Sequence, residues 1–278
     1  MSCERNSVSR VFVPAVVSGR SFRRGVVLDF FVRAAVSTAI AVVLTAGHCA
    51  AQTDAPPPPQ HRPQHYEISA GGEAGRDAWS VHVTATTALG GDVCQPGFRL
   101  RSSAGYGTYS YDSAQWTKKT VVLRHYQGVQ AFADAMLGYH AQIGALTVKA
   151  YAGAAMASHM LTPADPENVV YGERVGLKLA LETWFAIGAR GFVQSDTSWQ
   201  SAFDAYASRL RVGYRVLPNL AIGPELAVFG NTAYDGGRAG AFIRFEFGRG
   251  EISASAGASG DKDGADGAYG TLGGLFRF

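Results

Sequence analysis

The sequence predicts an all-β fold, a transmembrane antiparallel β-barrel of about 12 strands that follows a signal peptide and a proline-rich linker. Three observations predict it. Beyond Tyr66, segments of roughly ten residues alternate apolar with small or polar side chains. The connections between these segments alternate in length over most of the chain. The chain also ends in a phenylalanine, Phe278, that closes an alternating segment.

Residues 1–51 are typical of a secretory signal peptide. Residues 34–47 form an uncharged apolar stretch with arginines before it and small residues after it, and cleavage is predicted after Ala51. The segment is longer than a usual signal of ~30 residues, so a later start codon is one alternative. An uncleaved inner-membrane anchor is another, although Asp29 and Arg33 would then lie at a cost in the apolar span.

The charges are distributed unevenly along the chain. Six of the 25 basic residues and two of the 22 acidic residues precede Gln52, which leaves +4 on the signal and −1 on the rest. A nearly neutral mature chain offers no basic surface for phosphates, so no nucleic-acid partner is expected. A hydrophobic fraction of 47% argues against both disorder and a helical membrane bundle.

Residues 52–65 are predicted to be a periplasmic linker. Four consecutive prolines begin at Pro56, and Pro63 follows them. Such a tract favours an extended polyproline II conformation and resists both helix and sheet. The segment therefore serves as a spacer ahead of the first strand.

The barrel is predicted to occupy residues 66–278. Alternation is clearest in residues 174–182 and 209–216, where every second side chain is apolar. Because successive side chains of a strand point to opposite faces, each set lies on its own face of the sheet. The predicted strands are 66–74, 78–88, 97–111, 131–142, 144–157, 171–183, 184–197, 200–216, 218–231, 237–248, 250–260 and 266–278.

The connections are expected to be long after strands 3, 5, 7, 9 and 11 and tight after strands 4, 6, 8 and 10. The long ones are residues 112–130, 158–170, 195–199, 231–236 and 261–265, and the tight ones are 143–144, 183–184, 217–218 and 249–250. This order is typical of an outer-membrane barrel with both termini in the periplasm. The connections at Gly75 and at residues 90–96 reverse it. Pro224 falls in mid-strand, where a bulge or local bend is expected.

The last segment carries a predicted barrel-insertion signal. Leu272, Phe276 and Phe278 are apolar and in phase along the final strand. This pattern resembles the signal that outer-membrane barrels present to their insertion machinery. It makes that machinery and the outer-membrane lipid the expected partners, and tyrosines near many strand ends fit interfacial girdles.

The polar face of the strands is predicted to bring charged side chains into the lumen. Because strands 8 and 9 pair directly, Arg209 and Arg211 are expected across from Glu225. Lumenal charges either pair with one another in a narrow barrel or contact a hydroxylated or acidic substrate. The predicted lumen-facing residues are Arg99, Arg101, Asp134, Lys178, Glu182, Arg190, Arg209, Arg211, Glu225, Arg244 and Glu246.

No catalytic residue, cofactor-binding residue or metal ligand is predicted. Residues 261–267 lack the spacing of an EF-hand and are expected to form an extracellular hairpin loop. The sequence contains no Gly-x-Ser-x-Gly turn, phosphate loop or metal-spaced histidine and cysteine cluster. We therefore expect a protein that is not an enzyme and has no cofactor.

Several stretches, in this order along the chain, form a recognisable set: residues 97–101, 105–111, 135–139, 161–168, 209–214, 222–225 and 230–231. Together they resemble the BcsS family of cellulose biosynthesis proteins, which are outer-membrane barrels. Two features depart from the family, namely the long head and a first strand, 66–74, that lacks a tryptophan-rich opening. The resemblance implies location in the outer membrane of a Gram-negative bacterium, with a glucan chain or other cellulose synthesis components as partners.

The function expected from the resemblance is non-enzymatic. The barrel would assist the biosynthesis, export or surface retention of cellulose or another exopolysaccharide. A general small outer-membrane porin is the first alternative, and a barrel enzyme that acts on lipid or glycan is the second.

Overall fold

The computed structural model describes residues 63–116, 120–261 and 264–278. The predicted signal peptide, its cleavage site at Ala51 and most of the linker lie outside these residues. The strands are β1 (Tyr66–Ala74), β2 (Ala78–Ala88), β3 (Gly97–Trp116), β4 (Val121–Ile143), β5 (Leu146–Thr162), β6 (Gly172–Ile187), β7 (Gly191–Gln200), β8 (Ala205–Leu217), β9 (Leu220–Asn231), β10 (Tyr234–Phe247), β11 (Gly250–Asp261) and β12 (Gly264–Arg277).

The strands close into a single antiparallel barrel. Each strand pairs with its neighbours in the chain, and β1 pairs with β12 from Glu67 opposite Arg277 to Ala74 opposite Gly270. Closure pairs the strands on both sides along most of their length, which limits edge-to-edge aggregation. The end of the β3–β4 hairpin, residues 110–116 and 121–126, extends beyond its neighbours. The predicted fold, an antiparallel barrel of 12 strands, is confirmed. No helix in the described part of the chain is long and apolar enough to cross a membrane.

Both described chain ends lie at the same end of the barrel, which we call the terminal end. Tyr66 and Phe278 exchange two backbone hydrogen bonds there, of 2.9 and 3.0 Å. We call the other end the far end. The connections 144–145, 188–190, 218–219 and 248–249 lie at the terminal end, and 75–77, 163–171, 201–204 and 232–233 lie at the far end.

Several predicted connections are strand in the structure. Residues 112–116 and 121–130 belong to β3 and β4, whose ladder continues from Asp112 opposite His125 to Trp116 opposite Val121. The predicted tight turn at residues 183–184 is also wrong, because β6 continues to Ile187 and the chain turns at 188–190. The predicted long connection after β9 is a two-residue turn at 232–233.

The first hairpin reverses the order of connection lengths, as the sequence indicates. Residues 75–77 make a short connection at the far end, and residues 89–96 make a longer one at the terminal end. Val93 in the longer connection donates a backbone hydrogen bond of 2.7 Å to Gln64. The 89–96 connection therefore lies against the segment that leads into β1.

Pro224 is accommodated without a bulge at its own position. Arg211 pairs with Glu225 on one side of it and Tyr214 pairs with Ile222 on the other, so the register of β8 and β9 is unchanged across the proline. Two residue pairs of the ladder are missing between them, because proline has no N–H to donate. The register shift in this hairpin lies between Arg215 and Leu217 instead.

The outer face of the barrel is apolar and carries an aromatic girdle at the terminal end. The exposed aromatic side chains there are Tyr66, Phe98, Phe185, Tyr214, Phe245, Phe247, Phe276 and Phe278. Aliphatic side chains such as Leu100, Val212 and Ile243 are exposed between the girdle and the far end. An apolar band flanked by aromatic residues is typical of transmembrane barrels.

Candidate functional site: the barrel lumen

Ten of the eleven predicted lumen-facing residues lie inside the barrel. Arg99, Arg101, Asp134, Glu182, Arg209, Arg211, Glu225 and Arg244 are buried. Lys178 and Glu246 are largely buried. Arg190 is a correction: it is exposed in the 188–190 turn, because β6 ends later than the sequence pattern indicates.

Of the two arginines predicted to lie across from Glu225, Arg211 pairs with it and Arg209 does not. Arg211 lies opposite Glu225 in the ladder, and its Nε donates to Oε2 of Glu225 at 2.5 Å. Both side chains are almost completely buried, with 1% and 3% of their surface exposed. Arg209 turns to β7 instead and donates from Nη2 to Oδ2 of Asp196 at 2.6 Å.

Further ion pairs fill the middle of the lumen. Arg101 on β3 donates to Glu182 on β6 at 2.5 Å, and Lys178 on β6 donates to Asp134 on β4 at 2.6 Å. Burying charges is expensive unless each has a partner, so pairs of this kind are what a narrow barrel requires. They leave little unpaired charge along the interior.

Several of these contacts join strands that are not neighbours. Arg238 on β10 donates to Glu73 on β1 at 2.6 Å, although the two residues are 165 positions apart in the sequence. Tyr269 on β12 donates to Glu225 on β9 at 3.0 Å. Each contact joins strands three positions apart around the barrel and so bridges part of the lumen.

An aromatic cluster fills the terminal half of the lumen. The rings of Trp184 and Phe192 stack with centroids 4.1 Å apart, and Phe242 packs beside Phe192. The Arg244 guanidinium lies 5.3 Å from the Trp184 centroid and donates to Oε1 of Gln194. A cation over aromatic faces is attracted to them and excludes water from the contact.

Residues 89–96 cover the terminal mouth. The Arg99 guanidinium donates to the backbone carbonyls of Asp92 and Val93, each at 3.1 Å, and to that of Gln95. It also lies 3.2 Å from Nδ1 of His140. A buried arginine that donates to three carbonyls of one connection holds that connection against the barrel.

Part of the far mouth is covered by residues 163–171. Tyr111 donates to Oδ2 of Asp165 at 2.8 Å and accepts from Nδ2 of Asn168 at 2.9 Å. Val170 is fully buried and packs with Phe203 from the β7–β8 connection. We call residues 163–171 the far loop.

A cavity of about 120 Å³ lies in the lumen between the far loop and the aromatic cluster. It is lined by both members of the Arg101–Glu182 and Lys178–Asp134 pairs, and it extends to Gln200 and Asn231 at the far end. Within residues 63–116, 120–261 and 264–278, no group of three or more histidine, cysteine, aspartate or glutamate side chains is arranged to hold a metal ion.

Sequence reasoning missed several lumenal residues. The predicted strand 184–197 and the predicted connection 195–199 overlap at Asp196, and neither Asp196 nor Trp184 is among the predicted lumen-facing residues, yet both are buried in strands. Extending the two-residue period from Phe192 through Gln194 to Asp196 would have found the β7 set. His140 and His159, which are also buried, carried no signal beyond their phase in β4 and β5.

The residues of the predicted insertion signal lie on the outer face of β12 and at the end of the chain. Leu272, Phe276 and Phe278 are all exposed, and the Phe278 ring lies 5.9 Å from that of Tyr66 in a stacked arrangement. They are thus accessible from outside the barrel in the closed fold. Their role in insertion stays a prediction.

The sequence profile of the family described as "Cellulose biosynthesis protein BcsS" matches residues 69–278, which include nearly the whole barrel. The chain belongs to the BcsS family. The resemblance of the separate stretches between residues 97 and 231 is thereby confirmed. A search among curated protein sequences finds no match to this BcsS protein.

Solved structures similar to this BcsS barrel are outer-membrane proteins of low sequence identity. The KdgM porin is 10% identical, covers 76% of this chain and 99% of its own, and has a TM-score of 0.43. The transport unit of the autotransporter AIDA-I from Escherichia coli is 10% identical, covers 88% and 98%, and scores 0.44. The COG4313 outer membrane channel from Pseudomonas putida F1 is 10% identical, covers 79% and 97%, and scores 0.46. The likeness concerns the barrel fold alone.

Proposed function

We propose that this BcsS protein is a non-enzymatic outer-membrane barrel that assists cellulose production by retaining the polysaccharide at the cell surface. Family membership supports the link with cellulose biosynthesis. The observation that favours retention over export through the barrel is the filled lumen. Paired charges and an aromatic cluster occupy most of its interior, residues 89–96 cover the terminal mouth, and residues 163–171 cover part of the far mouth.

The exterior supports placement in the outer membrane. Thirteen residues of β8, at about 3.3 Å each and a tilt of ~40°, span about 33 Å, which matches an apolar band with its aromatic flanks. In that membrane the terminal end would face the periplasm and the far end the medium. Sucrose-gradient fractionation, together with a heat-dependent shift in gel mobility, tests this placement.

The same proposal includes an exported precursor. Residues 1–51 act as a cleaved signal and residues 52–65 as a periplasmic linker. Mass spectrometry of the protein from outer membranes is expected to find a chain that begins at Gln52. A chain that retains residues 34–47 would favour the membrane-anchor alternative.

A lumen built of mutually paired side chains also supports a role without catalysis. Two of its histidines are engaged by other lumenal groups: His140 lies 3.2 Å from Arg99, and His159 lies 3.4 Å from the Tyr109 hydroxyl. We propose that they serve the packing of the interior. A purified barrel that hydrolyses lipid or glycan would contradict this part of the proposal.

Deletion of the gene tests the proposed role directly. Cellulose should shift from the cell-bound fraction to the medium, and a plasmid copy of the full-length gene should reverse the shift. Unchanged amounts in both fractions would refute any role in cellulose production. A fall in total cellulose without release would indicate a role in synthesis or export.

Planar-bilayer recordings separate this function from that of a general porin. The covered mouths lead us to expect long closed periods and no steady conductance for small ions. A stable open pore in every insertion event would favour the porin alternative.

A further inference from the structure

The cavity in the far half of the lumen has the features of a small polar binding site. Its volume of about 120 Å³ corresponds to roughly ten water-sized positions, at ~10–15 Å³ each. A hexose has twelve non-hydrogen atoms, so one sugar unit is of comparable size. The cavity extends to Gln200, Ala205 and Asn231, which places its approach at the far end.

Two buried carboxylates on the cavity wall each have one engaged and one unengaged oxygen. Asp134 accepts from Lys178 at Oδ2, and Asp196 accepts from Arg209 at Oδ2. Oδ1 of each lacks a hydrogen-bond partner among the described residues. The Asp134 side chain is completely buried and that of Asp196 is 9% exposed, so these oxygens are costly to leave without a donor. Neither oxygen has accessible surface in this structure, so a ligand hydroxyl would reach them only after a small side-chain shift.

The charges around the cavity disfavour an acidic ligand. Its lining contains the cations Arg101 and Lys178 and the carboxylates Asp134, Glu182 and Asp196. Each of these cations is already bonded to a carboxylate within the lumen. Within this lining, a uronate or phosphate would therefore meet three carboxylates and only cations that are already paired. A neutral hydroxylated ligand meets no such repulsion.

An aromatic side chain is held on the cavity wall in a strained conformation. Phe203 has a backbone φ of +56°, a region that costs a residue with a Cβ about 1–2 kcal/mol. Its carbonyl accepts two hydrogen bonds from Thr232, one from the backbone N–H at 2.9 Å and one from the hydroxyl at 2.7 Å. A strained backbone of this kind persists only where the surrounding contacts fix it, and such residues cluster at ligand-binding and active sites.

Phe203 and Phe132 supply aromatic rings to the cavity lining. The faces of a β-linked glucose unit present axial C–H groups, because its hydroxyls are equatorial. Aromatic faces carry negative charge density that attracts such C–H groups. The Arg174 guanidinium lies 4.7 Å from the Phe203 centroid and covers part of that ring. The aromatic wall that a glucose unit meets is therefore the remainder of Phe203 together with Phe132.

We propose that this cavity binds the terminal unit of a neutral, β-linked glucan that enters from the far end. The proposal rests on the proposed function and deepens it by assigning the contact with the polysaccharide to Asp134, Asp196 and Phe203. Retention then follows from seating a chain end in the lumen, without passage through the barrel.

Isothermal titration of the purified full-length mature barrel with cellobiose tests the site. Saturable binding to the wild type is expected, with no heat from digalacturonate at equal concentration. Asp134→Asn and Asp196→Asn should each raise the Kd at least tenfold, because each replaces one carboxylate oxygen by an amide donor. Ala207→Leu, which adds bulk to the cavity wall, should abolish binding.

Two control variants should leave cellobiose binding unchanged. Glu251→Gln alters a buried carboxylate that does not line the cavity, and Ala239→Leu adds the same bulk on the outer face. Heat-dependent gel mobility verifies that every variant is folded. Absence of cellobiose binding to the folded wild type, tighter binding of digalacturonate, or equal loss in the controls would each overturn the site. If binding fails while gene deletion still releases cellulose, the proposed function stands and only this site is wrong.

Discussion

Replacing Glu225 with leucine is expected to destabilise the barrel more than replacing its partner Arg211. Glu225→Leu leaves a guanidinium that is 1% exposed without its counter-charge. Removing one partner of a buried ion pair costs about 3–5 kcal/mol, because the remaining charge stays desolvated. We therefore expect the free energy of unfolding to fall by about 3–5 kcal/mol.

Arg211→Met should cost less, because Glu225 keeps other donors. Its carboxylate still accepts from Tyr269 at 3.0 Å and from Ser255 at 3.1 Å. Hydrogen bonds to a charged group are worth about 1.5–3 kcal/mol each, so they offset much of the lost charge pair. The expected cost is about 1–3 kcal/mol.

The double variant Arg211→Met, Glu225→Leu should be more stable than Glu225→Leu alone. An apolar pair of similar volume avoids the desolvation of both charges, and the remaining cost is the acceptor lost by the Tyr269 and Ser255 hydroxyls, about 2 kcal/mol in total. Urea unfolding of the barrel in lipid vesicles, followed by tryptophan fluorescence, measures all three variants. Asp77→Asn at the exposed Arg76–Asp77 pair is the control, with an expected change below about 0.5 kcal/mol. A cost of less than ~1 kcal/mol for Glu225→Leu, or additive costs in the double variant, would refute the reasoning.

Three further predictions concern other parts of the barrel. A methyl group at Gly213 would overlap the ring of Phe192, so Gly213→Ala should lower the free energy of unfolding by about 1–3 kcal/mol in the same urea assay. Tyr111→Phe removes the hydroxyl that contacts residues 163–171, so planar-bilayer recordings should show more frequent openings. Deletion of Phe278 should slow insertion into vesicles that contain the barrel-insertion machinery, measured by the appearance of the heat-modifiable band.

Each of these predictions has a matched control. Gly270→Ala places its methyl group no closer than 4.0 Å to any neighbour and should be neutral. Tyr171→Phe changes an exposed hydroxyl of the far loop and should leave the openings as in the wild type. Phe98→Ala removes a girdle ring outside β12 and should leave the insertion rate unchanged. An equal effect of variant and control in any pair would contradict that prediction.

The barrel and most of its strands could be predicted from the sequence because one physical pattern dominates it. A wall between lipid and a polar interior imposes a two-residue period, so β1 and β2 begin and end at the predicted residues. Where the two-residue period continues past the expected membrane width, as at Ser113 and Tyr126, the ladder extends and the predicted loop 112–130 is wrong. Strand ends are decided by turn geometry, such as the positive φ of Gly188, which periodicity does not report.

The candidate site could be predicted only as a set of inward-facing charges. The two-residue alternation of β8 places Arg209 and Arg211 in the lumen. The direct pairing of β8 with β9 identifies Glu225 as the partner of Arg211. It does not show that Arg209 pairs with Asp196, because that pair depends on the register of β7 against β8, in which the two residues lie directly opposite. Contacts across the lumen depend on barrel closure and shear, which are properties of the whole sheet.

The Arg238–Glu73 contact bears on the order in which the barrel assembles. It connects β10 with β1 and so spans the seam where the first strand meets the last. While β1 and β12 are unpaired, both side chains remain hydrated and the ion pair contributes little to stability. Once β12 pairs with β1, both side chains lose water in the same event. Closure should therefore be an all-or-none final step, in which zipping the sheet and desolvating the interior cannot be separated in time.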